Sequence, residues 1–177
     1  MSAVTRILVP LDFSQGSRAA LRHAGYLAKQ LGAKLDVLHV WEPSPVVAPD
    51  HLSWLGGGVD TFWVNLSEDL KKRLAKLVAE EIPDAAEDVT VEVEAGYVAN
   101  TILRRLKKNG HDLIVMGTHG RTGLSHLVMG SVAERIVRLS PVPVMTVRVP
   151  RERKRSKSRA GAHEASEVAS SETAGEA

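Results

Sequence analysis

Two hydrophobic rhythms alternate along this chain. Short apolar runs fall at Arg6 to Leu11 (RILVPL), Leu35 to Val40 (LDVLHV), Leu113 to Met116 (LIVM) and Pro143 to Val149 (PVMTVRV), each too short for a helix and read as a buried strand. Val89 to Glu94 alternates apolar and acidic positions, which predicts a third strand in sequence with one wetter face. Between the runs, apolar residues return every three or four positions. Ala20, Ala24, Leu27 and Leu31 mark one helix, with Ser14 or Ser17 as its cap and Gly32 just past its end. Leu66, Leu70, Leu74, Leu77 and Val78 mark a second, ended near Pro83 and preceded by a long connection from Trp41 to about Thr61. Val98, Ile102, Leu103 and Leu106 mark a third, stopped at Asn109-Gly110, and Leu127, Val128, Val132, Ile136 and Leu139 a fourth.

Strands alternating with helices predict an α/β fold, a parallel sheet covered on both faces. With five strands the expectation is a single doubly wound domain, flavodoxin- or Rossmann-like, in the order 3-2-1-4-5. Ligands of such sheets sit beyond the carboxyl ends of the strands that flank the reversal of winding. Here that crevice lies between the first strand, ending at Pro10-Leu11-Asp12, and the fourth, ending at Met116-Gly117.

The formal net charge of +2 conceals an uneven distribution. Residues 151–159 (RERKRSKSR) carry six basic residues and one acidic, and residues 160–177 four glutamates with no Lys or Arg, leaving 17 basic and 16 acidic residues in positions 1–150. The body is therefore nearly neutral and does not read as a nucleic-acid surface. Residues 1–150 form the expected domain, and 151–177 a disordered basic-then-acidic tail by composition. That tail is at most a weak electrostatic tether for nucleic acid or an anionic surface, against the plainer reading of a solvated extension. The chain has no cysteine, which excludes disulfides and thiolate chemistry and suits a cytoplasmic location. The run before Asp12 is too short for a signal-peptide core, and no stretch approaches bilayer length, so no membrane association is expected.

The candidate chemistry lies where the fourth strand meets the fourth helix. Gly117-Thr118-His119-Gly120 is followed, nine residues after Gly120, by Gly130-Ser131. A strand ending in small residues before a helix start lets backbone N–H groups approach a phosphate. Neither the Walker loop nor the dinucleotide Gly-x-Gly-x-x-Gly occurs, so a nucleotide loop of another kind is the expectation. His119 and His126 lack helical metal-ligand spacing, and His39 reads as a satisfied core or rim residue. Trp41, Trp54 and Trp63 cluster about the long connection and read as loop packing, without the basic interleaving of a nucleic-acid platform.

Together these pieces resemble the universal stress protein A family, in its ATP-binding branch, over residues 4 to 149. The most specific element is the Gly-x2-Gly-x9-Gly-Ser signature, met by Gly117, Gly120, Gly130 and Ser131; RILVPLDFS and SPVPVMTVR resemble the first and last strands. The resemblance implies that Asp12 meets the ribose hydroxyls, that Pro10 and Leu11 line the adenine side, and that the Val40 backbone reads the adenine edge. It places Gly117 near the ribose. Gly120, Gly130, Ser131 and the Val132 amide hold the phosphates, with Arg121 adding charge. ATP with Mg2+ is the implied ligand, and a homodimer paired through Val144 to Val149 the implied assembly. Ala95-Gly96-Tyr97-Val98 departs from the acidic or proline-containing turn often seen before the third helix. Asp12 also has a bland reading, as cap of the first helix.

The implied function is that of an ATP-binding stress-response or signalling protein, regulatory rather than metabolic. The alternative is a nucleotide-dependent enzyme with slow hydrolysis or autophosphorylation. The sequence offers a phosphate cradle but no P-loop lysine and no positioned base for water. An FMN-binding flavodoxin relative and a ligand-free dimerisation module are the remaining readings.

Overall fold

The computed structural model describes residues 3–42, 58–118 and 129–149. Five strands form one parallel sheet: β1 (Arg6–Pro10), β2 (Lys34–Trp41), β3 (Val89–Ala95), β4 (Leu113–Gly117) and β5 (Val144–Val147), in the order β3-β2-β1-β4-β5. This is the expected 3-2-1-4-5 winding. The helices are α1 (Gln15–Leu31), α2 (Gly58–Glu81), α3 (Val98–Lys108) and α4 (Ser131–Leu139), with a 3-10 turn at Pro83–Asp88.

Strand alternation divides the core between two faces. Ile7, Val9, Leu35 and Val37 bury against Ala20, Ala24, Leu74 and Val78 of α1 and α2. Leu8, Leu38, Ile114 and Met116 face Ile102 and Leu106 of α3 and Ile136 of α4. Gly32 ends α1 in the left-handed conformation, with φ 62°, and its amide returns to Ala28 O.

Several boundaries differ from the sequence reading. Helix α2 begins at Gly58 rather than beyond Thr61, so the helix extends into what the glycines suggested was connection. Strand β5 spans only Val144–Val147, because its pairing with β4 stops at Gly117. Leu31 and Leu139 are exposed, since each lies in the last turn of its helix where the stripe has run past the sheet. Leu127, Val128 and the segment 151–177 lie outside the described residues.

The wetter face of β3 is not simply solvated. Glu94 accepts from Arg104 at 2.7 Å, and Arg105 pairs with both Glu92 and Glu94. Partial burial lowers the Arg105 pKa, while Asp36 raises it and Arg6 lowers it again. Beneath this layer, at the amino-terminal ends of the strands, Asp36 Oδ2 accepts from Arg6 Nε at 2.7 Å and lies 2.8 Å from His111 Nε2. Arg6 also donates to the Asn109 carbonyl at 3.0 Å. Asp112 Oδ2 takes the Thr5 hydroxyl at 2.7 Å and the amides of Thr5 and Arg6 at 2.7 and 2.9 Å. This polar seam ties β1, β2 and the approach to β4 at the end of the sheet opposite the crevice.

Candidate functional site

The crevice is built from three chain segments at the carboxyl ends of the strands. The first follows β1. Pro10 closes the strand, half-buried, and the buried Leu11 continues the ladder by donating its amide to Leu38 O at 2.9 Å. The chain then turns through Phe13, whose φ of 66° makes it the one described non-glycine residue in the left-handed region. Asp12 Oδ1 accepts from the Ser14 amide at 3.1 Å, and the Asp12 amide donates to Ser17 Oγ at 3.3 Å. The helix cap is Ser14, whose hydroxyl accepts from the Ser17 amide at 3.2 Å. The capping role considered for Asp12 therefore falls to Ser14. Ser17, the other cap candidate, is buried inside the first turn. Asp12 instead shapes the turn that precedes the cap.

The second segment is the end of β2. Lys34 donates to Thr5 O and Leu38 O accepts from Leu11, so the even-numbered residues aim their peptide groups toward β1. By the same alternation Val40 presents its peptide edge on that side, beyond the Pro10–Leu38 pair that closes the β1 register. A backbone N–H and C=O facing the crevice can read the edge of a planar base.

The third segment joins β4 to α4. A Cβ built on Gly117 would lie 2.7 Å from the Gly16 carbonyl carbon and 3.1 Å from the Ser17 nitrogen. Glycine at this position therefore lets the start of α1 pack directly on the end of β4. Beyond it, the buried Thr118 donates its amide to Val147 O at 3.1 Å, and its carbonyl accepts from the Gly130 amide at 2.8 Å. That bond fixes the start of α4 beside the end of β4. Gly130 is the N-cap residue, with φ −74° and ψ 154°, and provides no side-chain cap. A helix leaves its first amides without partners in its own ladder, here those of Ser131, Val132 and Ala133. In α1 the Ser14 hydroxyl serves that purpose; the N-cap of α4 has no side chain to do so, and a helix start of this kind has the chemistry to accept an anion.

The described members of the predicted set thus converge: Pro10, Leu11, Asp12, Val40, Gly117, Gly130, Ser131 and Val132 stand at one end of the sheet. Gly120 and Arg121, like His119, His126 and Trp54, lie outside the described residues. Among the described residues, no group of three or more His, Asp or Glu side chains could hold a metal ion. No described helix is long and apolar enough to cross a membrane.

Sequence reasoning missed two supports of the rim. Glu42 Oε1 accepts from the Val98 amide at 3.0 Å, so a carboxylate just past the end of β2 caps α3 where the local turn offers none. The partners are 56 residues apart, and no local pattern announces them. Thr118 carries no helical or metal signal, yet both its backbone groups organise the site. Trp41 and Trp63 stack at 4.7 Å, consistent with packing of the connection's ends against each other.

The family model described as the universal stress protein family matches residues 3–148. A relative, universal stress protein MJ0531 of Methanocaldococcus jannaschii, is 33% identical over 151 residues, covering 82% of this chain and 83% of that protein. Among solved structures, universal stress protein UspA from Lactobacillus plantarum is 25% identical with a TM-score of 0.62, covering 84% of this chain and 100% of the other. A universal stress protein solved in complex with cAMP shares the fold at 21% identity and a TM-score of 0.54, covering 82% of this chain and 98% of the other.

Proposed function

Because this chain belongs to the universal stress protein family, we propose that it binds ATP in the crevice between β1 and β4 and acts as a stress-response regulator. The observation that carries this reading is the start of α4. Its N-cap is a glycine without a capping side chain, and the Thr118 carbonyl holds it at the end of β4. Phosphates would be met by the amides of Ser131 and Val132 and by the Ser131 hydroxyl, with Gly120 and Arg121 completing the loop. Asp12 would accept from the ribose hydroxyls, an ionised carboxylate being an acceptor-only group with about four lone-pair sites. Pro10, Leu11 and the Val40 peptide would line the base. A fold neighbour solved with cAMP supports an adenine nucleotide as a ligand this architecture accommodates.

Mg2+ would arrive on the phosphates. Among the described residues, the Asp12 carboxylate and the Ser131 hydroxyl would be the oxygen donors on this side, a set that suits an ion carried by its ligand. The chain's own residues bind and orient the nucleotide. On this reading residues 1–150 are the working unit and 151–177 an appendage, the protein acts in the cytoplasm, and two copies pair through the edge strand β5.

The test is calorimetric titration of nucleotide-stripped protein with magnesium-ATP. Micromolar, one-to-one binding supports the reading. No heat and no displacement of a fluorescent ATP analogue would overturn it. Rapid multiple-turnover hydrolysis in the same cell would replace the regulatory reading with an enzymatic one.

A further inference from the structure

The Leu11–Asp12 peptide is gripped at both of its polar ends. Its carbonyl, Leu11 O, lies 2.7 Å from His39 Nδ1, and its amide, Asp12 N, donates to Ser17 Oγ at 3.3 Å. A carbonyl only accepts, so His39 carries a proton on Nδ1 and donates it. His39 is 3% exposed, and its ring is in turn packed by Phe13, with centroids 4.9 Å apart at 59°. Phe13 is the residue held at φ 66°, and the Arg73 guanidinium of α2 lies 5.8 Å from its ring centroid. A residue in the left-handed region persists only where its surroundings over-determine it. The rings of Phe13 and His39 and the two peptide contacts supply that determination at the turn from which the Asp12 carboxylate departs.

We propose that His39 is a positioning residue for Asp12, and through it a determinant of ribose over deoxyribose selectivity. The proposal rests on the nucleotide reading above. A peptide unit is planar, so fixing its oxygen and its N–H fixes the plane from which the Asp12 side chain leaves. His39 touches no part of the nucleotide on this reading; it acts on the carbonyl immediately before the residue that does. The phosphate grip at α4 is built from Gly130 and Thr118 and is independent of this contact.

The experiment compares ATP, 2′-deoxy-ATP and inorganic tripolyphosphate by calorimetry on the full chain, for wild type, His39→Leu, His39→Asn and Phe13→Leu. Thermal unfolding checks that each variant is folded. Wild type is expected to prefer ATP over 2′-deoxy-ATP by about tenfold or more, the worth of a hydrogen bond to a charged group. His39→Leu removes the donor and should bring that ratio toward one, leaving tripolyphosphate affinity unchanged. His39→Asn, whose amide can still donate to Leu11 O, should restore most of the ratio. Phe13→Leu, which keeps a bulky residue but removes the ring beside His39, should lower it partly. A discriminating wild type beside an equally discriminating His39→Leu overturns the positioning role alone. A wild type that binds both nucleotides equally, or neither, overturns the ribose reading and the positioning role with it. If His39→Leu is unfolded, the proposal stands or falls on Phe13→Leu, whose unchanged ratio would reject it.

Discussion

Gly117 and Gly16 are in such close approach that a single methyl group on Gly117 would stand 2.7 Å from the Gly16 carbonyl carbon. The obstacle is backbone, which cannot rotate aside. Gly117→Ala should therefore push α1 away from β4 and destabilise the fold by about 1–3 kcal/mol, the usual cost of overpacking. Urea unfolding checks this. The same variant should weaken ATP binding, because the displaced start of α1 carries the Asp12 turn.

Ser131 follows an N-cap residue whose backbone, φ −74° and ψ 154°, already suits a residue preceding proline. Proline is favoured at the first helical position. Ser131→Pro should thus leave the unfolding midpoint within experimental error while deleting both an amide and a hydroxyl from the proposed phosphate grip. ATP affinity should fall at least about tenfold, since each hydrogen bond to a charged group contributes about 1.5–3 kcal/mol. A stable Ser131→Pro with unaltered affinity would remove the start of α4 from the site.

Asp36 gathers Arg6 and His111 on one carboxylate oxygen at the opposite end of the sheet. Its side chain is 10% exposed, and that of His111 1%. Removing the shared acceptor leaves a buried imidazole N–H and a part-buried guanidinium without it. Asp36→Ala should cost about 2–4 kcal/mol, a buried-pair penalty discounted for the solvent access of Arg6. Nucleotide affinity of the folded fraction should not change, which separates this seam from the crevice.

The Asp112 carboxyl is held below the ordinary carboxylate range, first by the Thr5 hydroxyl and then by the Thr5 amide, against an opposing effect of burial, with the Arg6 amide and His111 adding lesser contributions. A depressed folded-state pKa means that the ionised form is favoured by folding. Its stabilising contribution is present above the carboxyl's unfolded pKa and is lost as pH falls through the lower folded value. Wild type should accordingly lose more stability than Asp112→Asn on acidification below the ordinary aspartate range. Urea midpoints measured across that range report the difference.

On β5, Pro143 O and Val147 O face β4, so the peptide group of Thr146 faces the open edge of the sheet. Proline is tolerated in a sheet only where its missing N–H points outward. If two copies pair through this edge, Thr146→Pro should convert a dimer to a monomer at tens of micromolar by light scattering, with the monomer fold retained. A wild type that is monomeric at that concentration would count against the pairing.

The winding, and with it the place of the crevice between β1 and β4, was legible because it depends on local periodicity. RILVPL and LIVM read as strands, and the order of winding set their ends side by side. The Gly117 and Gly130 spacing pointed to the junction of β4 and α4, although the Gly117 contact is with Gly16, which no spacing within the signature reveals. Helix α2 was read too short because glycines at positions 56–58 look like connection, whereas the structure starts the helix at Gly58. Glu92 and Glu94 looked solvated until α3 brought Arg104 and Arg105 over them. Long-range contacts such as Glu42 to Val98 leave no periodic trace.

The hydrogen bond from Gly130 to Thr118 closes the backbone into a ring before any ligand arrives. The bond runs backbone to backbone, so it ties the start of α4 to the end of β4 whatever ligand the crevice receives.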